Sequence, residues 1–518
     1  MEYWSKGVMG FRNSNTPHRI QERISDMRQI TISEAGYRDK VYACWLGKNI
    51  GGTLGAPTEG KKEVLHLTYY DPMPSESAAN DDLDLQLVWL KMLQERGINP
   101  RLQDFADYWM KHLFPYPWDE YGFCQRNLQR GLRPPISGCF ENDFIDQMGS
   151  PIRSEIWACI APGDPQLAAV MAWKDAVLDH AGGEGVWGEM FWAAVESAAF
   201  VIDDPLTLIR IGLGMIPVWS HISRAVQSAV WCHENNIPWE EARNRILTRF
   251  GHNHPCHAPQ NHGFTIIGWL YGKDYGDQLC KAVNCGYDTD CTGATLGSLL
   301  GILGGTKSIP KEWSDPVGDG IVLHKFTQNL DAPKTVKELT DQTVEIGKHV
   351  LSRRSKVSGL GESTTVPSNV IHTCTRNEDA RALWTRDMEA ATVPVSEGIE
   401  VTLHYHGEPV IRPRLPKVMS VTVERNEERI PTHARIEFPA DWHVKSLESS
   451  EVEMAYEVFA DKVDDANTLK ARVEIGGKRY GTDFLILGPN AGKDWQPARG
   501  VPTCPKCGAR IEACLCPK

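Results

Sequence analysis

Two short runs, Asn80-Asp81-Asp82-Leu83-Asp84 and Asp288-Thr289-Asp290, gather carboxylates closely enough for chemistry that an isolated acid cannot do. Each stands where a helical pattern begins. Asp and Asn suit a helix N-terminus, where a side chain caps an open backbone N–H and negative charge meets the positive end of the helix dipole, an effect of about 1 kcal/mol. One cap would meet that need, and further carboxylates only repel one another. A divalent cation removes the repulsion, because Mg²⁺ and Mn²⁺ take carboxylate, carbonyl and water oxygens. The expectation is that two helix starts meet and hold two such ions, which activate water and orient a substrate hydroxyl.

The second run leads into a segment with Gly293, Gly297 and Gly301 at every fourth position. Each glycine weakens a helix by about 1 kcal/mol relative to alanine. Aligned on one face, however, they let another helix approach closely, and that packing would bring the acidic helix starts together.

The elements that must position these residues follow from periodicity. From about residue 33 to 355 the pattern is mostly helical: Leu83, Leu87, Val88 and Leu90 recur at helical spacing, as do apolar residues in 168–178, 191–200, 206–216 and 239–250. Several of these segments are apolar nearly all round, as buried central helices are. After Gly359-Leu360-Gly361 the period becomes two. Ile399, Val401, Leu403 and Tyr405 alternate with Glu400, Thr402, His404 and His406, and similar runs continue to Ala471/Val473/Ile475 before the hairpin signal Gly476-Gly477. The expected organisation is an N-terminal extension (1–33), an all-α domain (34–358), a smaller β-sandwich (366–490) and a Cys-rich tail (491–518). In the tail, Cys504 and Cys507 followed by Cys514 and Cys516 have the makings of a Zn²⁺ knuckle. A reduced tail is the alternative.

The 518 residues are 41% hydrophobic and 24% charged, with a net charge of −12. That balance belongs to a globular chain and argues against bulk nucleic-acid binding, where a basic face supplies most of the affinity. The N-terminal stretch lacks an apolar core long enough for a signal peptide, and no segment approaches the roughly 20 apolar residues of a membrane span. A cytoplasmic location is expected, with the fourteen cysteines mostly buried thiols. The stretch GHNHPCHAPQNHG at 251–263 offers His252, His254, Cys256, His257 and His262 as zinc donors, but Pro255 and Pro259 break their spacing. A loop beside the active centre, with His257 or Asn261 touching substrate, is the better reading. Trp157, Trp187 and Trp192 have faces for a sugar, yet a large helical core uses tryptophan equally well.

Gly55-Ala-Pro-Thr-Glu59, then Asn80-Asp81-Asp82, then DTDCTGAT at 288–295 stand in the order found in the ADP-ribosylglycohydrolase family, and residues 35 to 305 resemble it. The resemblance implies an orthogonally packed all-α domain with two Mg²⁺ or Mn²⁺ ions, cleaving the bond between ADP-ribose and an acceptor. Carried over by motif, Asp81, Asp82, Asp288 and Asp290 resemble metal ligands, with Asn80 at the place of a metal-binding Thr. Glu59 and Asp82 are the implied catalytic acids. His180, Gly149 and Arg153 resemble the substrate side. The departures are Gly52, where the family has Asp, and Cys291, where it has Thr or Ser; a thiol suits a hard cation poorly, so either Thr292 substitutes as ligand or one metal site is altered. The implied substrate is a small glycoside or ADP-ribosyl conjugate, with no membrane partner and with assembly through the β-sandwich as an option. The competing reading is a catalytically altered family member that binds a sugar or nucleotide, or serves a structural role.

Overall fold

The described fold begins with a short strand, β1 (Ile30–Ser33), whose last residue caps helix α1 (Glu34–Gly55) by accepting from the Gly36 N–H. The computed structural model describes residues 30–491 apart from 114, 115, 117, 118, 427, 432 and 448. The tail cysteines Cys504, Cys507, Cys514 and Cys516 lie outside the described residues. β1 pairs in parallel with β2 (Ser358–Gly361), so the two ends of the helical region meet.

Helices fill the region between those strands. Those that bear on the site are α1, α2 (Asp81–Arg96), α3 (Asp119–Gln129), α4 (Glu184–Ala199), α5 (Ala258–Tyr271) and α6 (Thr289–Gly304). Their core is aromatic as well as aliphatic. Trp45, Trp89, Trp109, Trp157 and Trp192 are fully buried, so Trp157 and Trp192 serve packing. Leu83, Leu87, Val88 and Leu90 are buried, and so are Leu85, Trp89 and Met92 on the other faces of α2. No helix among the described residues is long and apolar enough to cross a membrane.

The glycine face of α6 does what its spacing suggests. Its partner is α1, not the acid-led α2. A Cβ at Gly51 would lie 1.9 Å from the Gly293 carbonyl oxygen, one at Gly47 2.1 Å from that of Gly297, and one at Gly301 2.1 Å from that of Ala43. Backbone rests on backbone, and no side chain larger than hydrogen fits between the two helices.

The C-terminal region is a β-sandwich. One sheet runs β3 (Ala390–Ser396), β4 (Ile399–His404), β5 (Lys417–Arg425), β9 (Glu453–Phe459) and β8 (His443–Ser446), with β6 (Glu428–Arg429) paired to β5. The other runs β11 (Lys478–Leu487), β10 (Ala466–Ile475) and β7 (His433–Glu437). The alternating residues Val401, Leu403, Met419, Val421 and Val423 of one sheet meet Ile436, Leu469, Ala471 and Val473 of the other. Gly476 and Gly477, at φ 55° and 78°, make the β10–β11 turn. Leu132, Ile136 and Phe140 of the helical region join the same core, which fastens the sandwich to the helices. Two short helices, Val370–Cys374 and Glu378–Leu383, come before β3, so period two starts later than the sequence alone suggests.

Candidate metal centre

Backbone conformation brings the loop of Glu59 to the start of α6. Gly286 and Tyr287 take positive φ, 73° and 69°, and turn the chain so that Tyr287 N donates to Lys61 O at 2.6 Å and Gly60 N donates to Tyr287 O at 2.8 Å. Hydroxyls tighten the junction: Thr58 Oγ1 lies 3.2 Å from Thr289 Oγ1, and Thr289 Oγ1 donates to Gly55 O at 2.8 Å. Glu59 is exposed as a residue, yet one of its carboxylate oxygens joins Cys256 Sγ and an Asp288 oxygen in a group whose donor atoms all lie within 4.8 Å of one another.

Asp288 occupies the cap position of α6 but caps nothing. It is fully buried, and neither of its oxygens has a hydrogen-bond partner. Asp290, two residues on, gathers with Asp82 and Cys291 in a second such group. Asn80 caps α2 by accepting from Asp82 N at 2.9 Å and turns its amide toward Asp290 Oδ2 at 3.4 Å. Cys291 Sγ donates to Asp82 Oδ1 at 3.5 Å, and the ammonium of buried Lys48 stands 3.9 Å from Asp82 Oδ2. Asp81 is partly exposed. Tyr121 Oη lies 3.2 Å from Asp81 Oδ2 and 3.3 Å from Gly149 O. The remaining acid of the run, Asp84, is engaged elsewhere. Its Oδ2 accepts from His324 N at 2.8 Å and Thr327 Oγ1 at 2.6 Å, pinning that loop.

Burying acids together raises their proton affinity. The charge of Asp290, then burial, then Asp81 and Asp119 push Glu59 up to about 8. Burial, followed by Asp290 and Glu59, holds Asp288 well above the carboxylate range. For Asp82, burial raises the value against the opposing pull of Lys48.

None of the expected substrate-side residues belongs to the two donor groups. Arg153 is fully buried: Nε donates to Asp175 at 2.8 Å, Nη2 to Asp179 at 2.7 Å and Nη1 to Gly149 O at 2.9 Å. His180 is buried between Asp179, 2.8 Å from Nδ1, and Glu120, 3.5 Å from Nε2. Burial would lower its pKa, but the two carboxylates win and hold it at about 9. Gly149 is bare because a Cβ there would meet Glu120 Oε1 at 2.0 Å. Asn261 is buried and donates to Pro255 O at 2.7 Å and His257 O at 3.0 Å, folding the loop that delivers Cys256. Burial, then His252 and His221, keep His257 neutral, its pKa lowered to about 3. Thr292 turns its hydroxyl to Thr289 O at 3.2 Å.

Three contributors are hard to find in the sequence. Cys256 stands out in a His-rich loop, but its aim toward Glu59 and Asp288 does not. Lys48 carries a local signal, a single cation inside the apolar, glycine-rich stretch 44–55. Tyr121 carries none.

The donor set fits a divalent cation. Buried Asp82 Oδ2, Asp290 Oδ1 and both Asp288 oxygens are without hydrogen-bond partners, and orphaned buried carboxylate oxygens are what a hard cation satisfies. A cleft of about 890 Å³ lies where Trp173 faces the sheet, but ion pairs line it, Arg386 with Glu424 and His404 with Asp387.

No curated protein matches the chain. A solved structure titled "ADP-ribosylglycohydrolase-related protein complex" is similar to it at 16% identity and a TM-score of 0.38, covering 60% of this chain and 98% of that one. The family model for ADP-ribosylglycohydrolase matches residues 33–344, which contain every acid of the cluster. The match spans over half of the sequence, and the chain belongs to the ADP-ribosylglycohydrolase family.

Proposed function

We propose that the chain hydrolyses a glycosidic bond at the anomeric carbon of a ribosyl-type or other sugar, using divalent metal held by its acid cluster. Asp288 carries this reading: a carboxylate with no exposed surface and no hydrogen bond, facing Glu59 and Asp290. A charge in that state is strongly destabilising without a counter-ion. When bound, Mg²⁺ or Mn²⁺ supplies Lewis acidity and lowers the pKa of coordinated water.

The chain's own groups divide the remaining work. Glu59, at the accessible rim, moves a proton between water and the leaving group. Departure of the aglycone leaves positive character on the sugar, which the surrounding carboxylates favour. Asp82 is oriented by Lys48 and Cys291, and Asp81 by Tyr121. His180 and Arg153 support the Gly149 turn from behind. The substrate class is a small glycoside or ADP-ribosyl conjugate, met in a reducing compartment such as the cytoplasm, where thiols stay free.

One observation favours a second reading, a member that binds a sugar or nucleotide without turning it over: a thiol, Cys291, stands against Asp82 where a hard cation prefers oxygen. A panel of ADP-ribosyl, nucleoside and simple glycosides with Mg²⁺ or Mn²⁺ separates the two. On the substrate found, Glu59→Gln retains the fold and, through Asp288, most of the bound metal, and loses turnover by roughly 10²-fold or more. Wild-type turnover in that variant removes Glu59 from the mechanism, and binding without hydrolysis across the panel favours the second reading.

A further inference from the structure

The two halves of the acid cluster differ in what the chain itself provides. On the side of Asp82 and Asp290, three protein donors face the carboxylates. Lys48 brings a full positive charge 3.9 Å from Asp82 Oδ2 and is locked there by Ile152 O at 2.8 Å and Glu155 Oε1 at 2.7 Å. Cys291 Sγ donates to Asp82 Oδ1. Asn80 has no freedom to flip: its Oδ1 holds the cap on Asp82 N, so its Nδ2 must face Asp290 Oδ2. Gly52 makes that arrangement possible, since a Cβ there would stand 2.9 Å from Asn80 Nδ2. On the side of Glu59, Cys256 and Asp288, both Asp288 oxygens lack a hydrogen-bond partner; Asp82 Oδ2 and Asp290 Oδ1 lack one too, but Lys48 stands 3.9 Å from the first and the Asn80 amide faces the carboxylate that carries the second.

We propose that this chain holds one divalent cation, on the Glu59–Cys256–Asp288 side, and that Asn80, seated in the space left by Gly52, together with Lys48 closes the Asp82–Asp290 side to a second. The inference rests on the reading that the acid cluster binds metal and fixes how many ions it takes. A cation between Asp82 and Asp290 would face the fixed Lys48 ammonium and the N–H side of the Asn80 amide, both repulsive to it. Asp288 presents only acceptors. Asn80 is therefore a positioning residue that presents a donor to the cluster, although its place in the sequence suggests a ligand.

The test counts ions directly. The full-length protein, stripped with a chelator, is titrated with Mn²⁺ by calorimetry, and the bound ion is examined by electron paramagnetic resonance. Wild type takes one Mn²⁺ per chain with the spectrum of an isolated ion, and Asp288→Asn loses it. Asn80→Asp keeps the shape and the cap but replaces the donor with an acceptor; it takes two, and the spectrum shows the broadening of a coupled pair. Two coupled ions in wild type overturn the inference and leave metal-dependent hydrolysis standing. No bound ion in wild type overturns both. An Asn80→Asp protein that is folded by circular dichroism and still takes one overturns the closure assigned to Asn80.

Discussion

Two acid-rich regions are buried in the helical domain, and their central carboxylates, Asp179 and Asp288, end in opposite states. Around Arg153, the carboxylates of Asp175 and Asp179 each have a guanidinium nitrogen within 2.8 Å, and His180 adds a second positive charge beside Asp179. Burial pushes Asp179 up, but Arg153 and His180 outweigh it and hold it at about 2. Burial prevails over Arg153 at the other two acids there, raising Asp175 to about 6 and Glu189 well above the carboxylate range. Around Asp288, burial pushes the same way and nothing outweighs it, so Asp82, Asp288 and Asp290 all stay above the carboxylate range. The two regions touch through Gly149, whose carbonyl accepts from Arg153 and from Tyr121, and Tyr121 also reaches Asp81. Desolvation is common to both; Lys48 stands beside Asp82, but Asp288 has no counterpart of the guanidinium that holds Asp179. A closed network holds a fold together, and an open one awaits a ligand.

The sharpest way to break that contrast is to open the closed network. Arg153→Met leaves Asp175, Asp179 and Glu189 buried with their main counter-charge removed and is expected to destabilise by about 3–5 kcal/mol. That is a large share of a typical domain's stability. Chemical denaturation and soluble yield measure it; a loss under about 1 kcal/mol would mean that the network is not the structural unit described. A smaller effect is expected at the helix contact that carries the open network. Gly51→Ala puts a methyl 1.9 Å from the Gly293 carbonyl oxygen, so α1 and α6 must part, at roughly 1–3 kcal/mol. Because α6 carries Asp288 and Asp290, the same variant is expected to weaken Mn²⁺ binding as well, measured by calorimetry. Unchanged affinity would separate the glycine contact from the site.

Much of this was legible in the sequence, for physical reasons. Period-two alternation from Ile399 to Tyr405 specifies which face of a strand is buried, and period-four glycines specify a helix face that can touch backbone. The acid runs advertised themselves because adjacent carboxylates have no ordinary structural use. Other features depended on distance through space. Arg153 has the look of a ligand-binding cation in a Gly-Ser-Pro turn, and only the fold shows that Asp175 and Asp179 consume it. Lys48 and Tyr121 reach the acids from helices remote in sequence. Gly52 and Cys291 stand out as departures from the family pattern, but the contact between the bare Gly52 position and the Asn80 amide is invisible without coordinates.

The finest test of the contrast lies in the pH dependence of the metal-free protein. A carboxyl whose folded pKa is raised binds its proton more tightly in the folded state than in the unfolded one. Between the two values the folded state carries more protons, so stability falls as pH rises. Glu59, raised from 4.5 to about 8 with Asp290 as the largest cause, sets the window, and Asp288 adds to it. Stripped protein is therefore expected to lose stability steadily from about pH 4.5 to 8, and saturating Mg²⁺ or Mn²⁺ to restore it at the upper end. Asp290→Asn removes the charge that raises Glu59 most and that ranks behind only burial for Asp288. In the stripped state it should flatten that slope and gain about 1 kcal/mol near pH 8, while its Mn²⁺ affinity falls at least tenfold, roughly 1.4 kcal/mol. Thermal melts across the pH range, with and without metal, give both quantities. A variant that is less stable than wild type when stripped would place Asp290 with Asp179, as a carboxylate the fold needs, and the two regions would no longer be opposites.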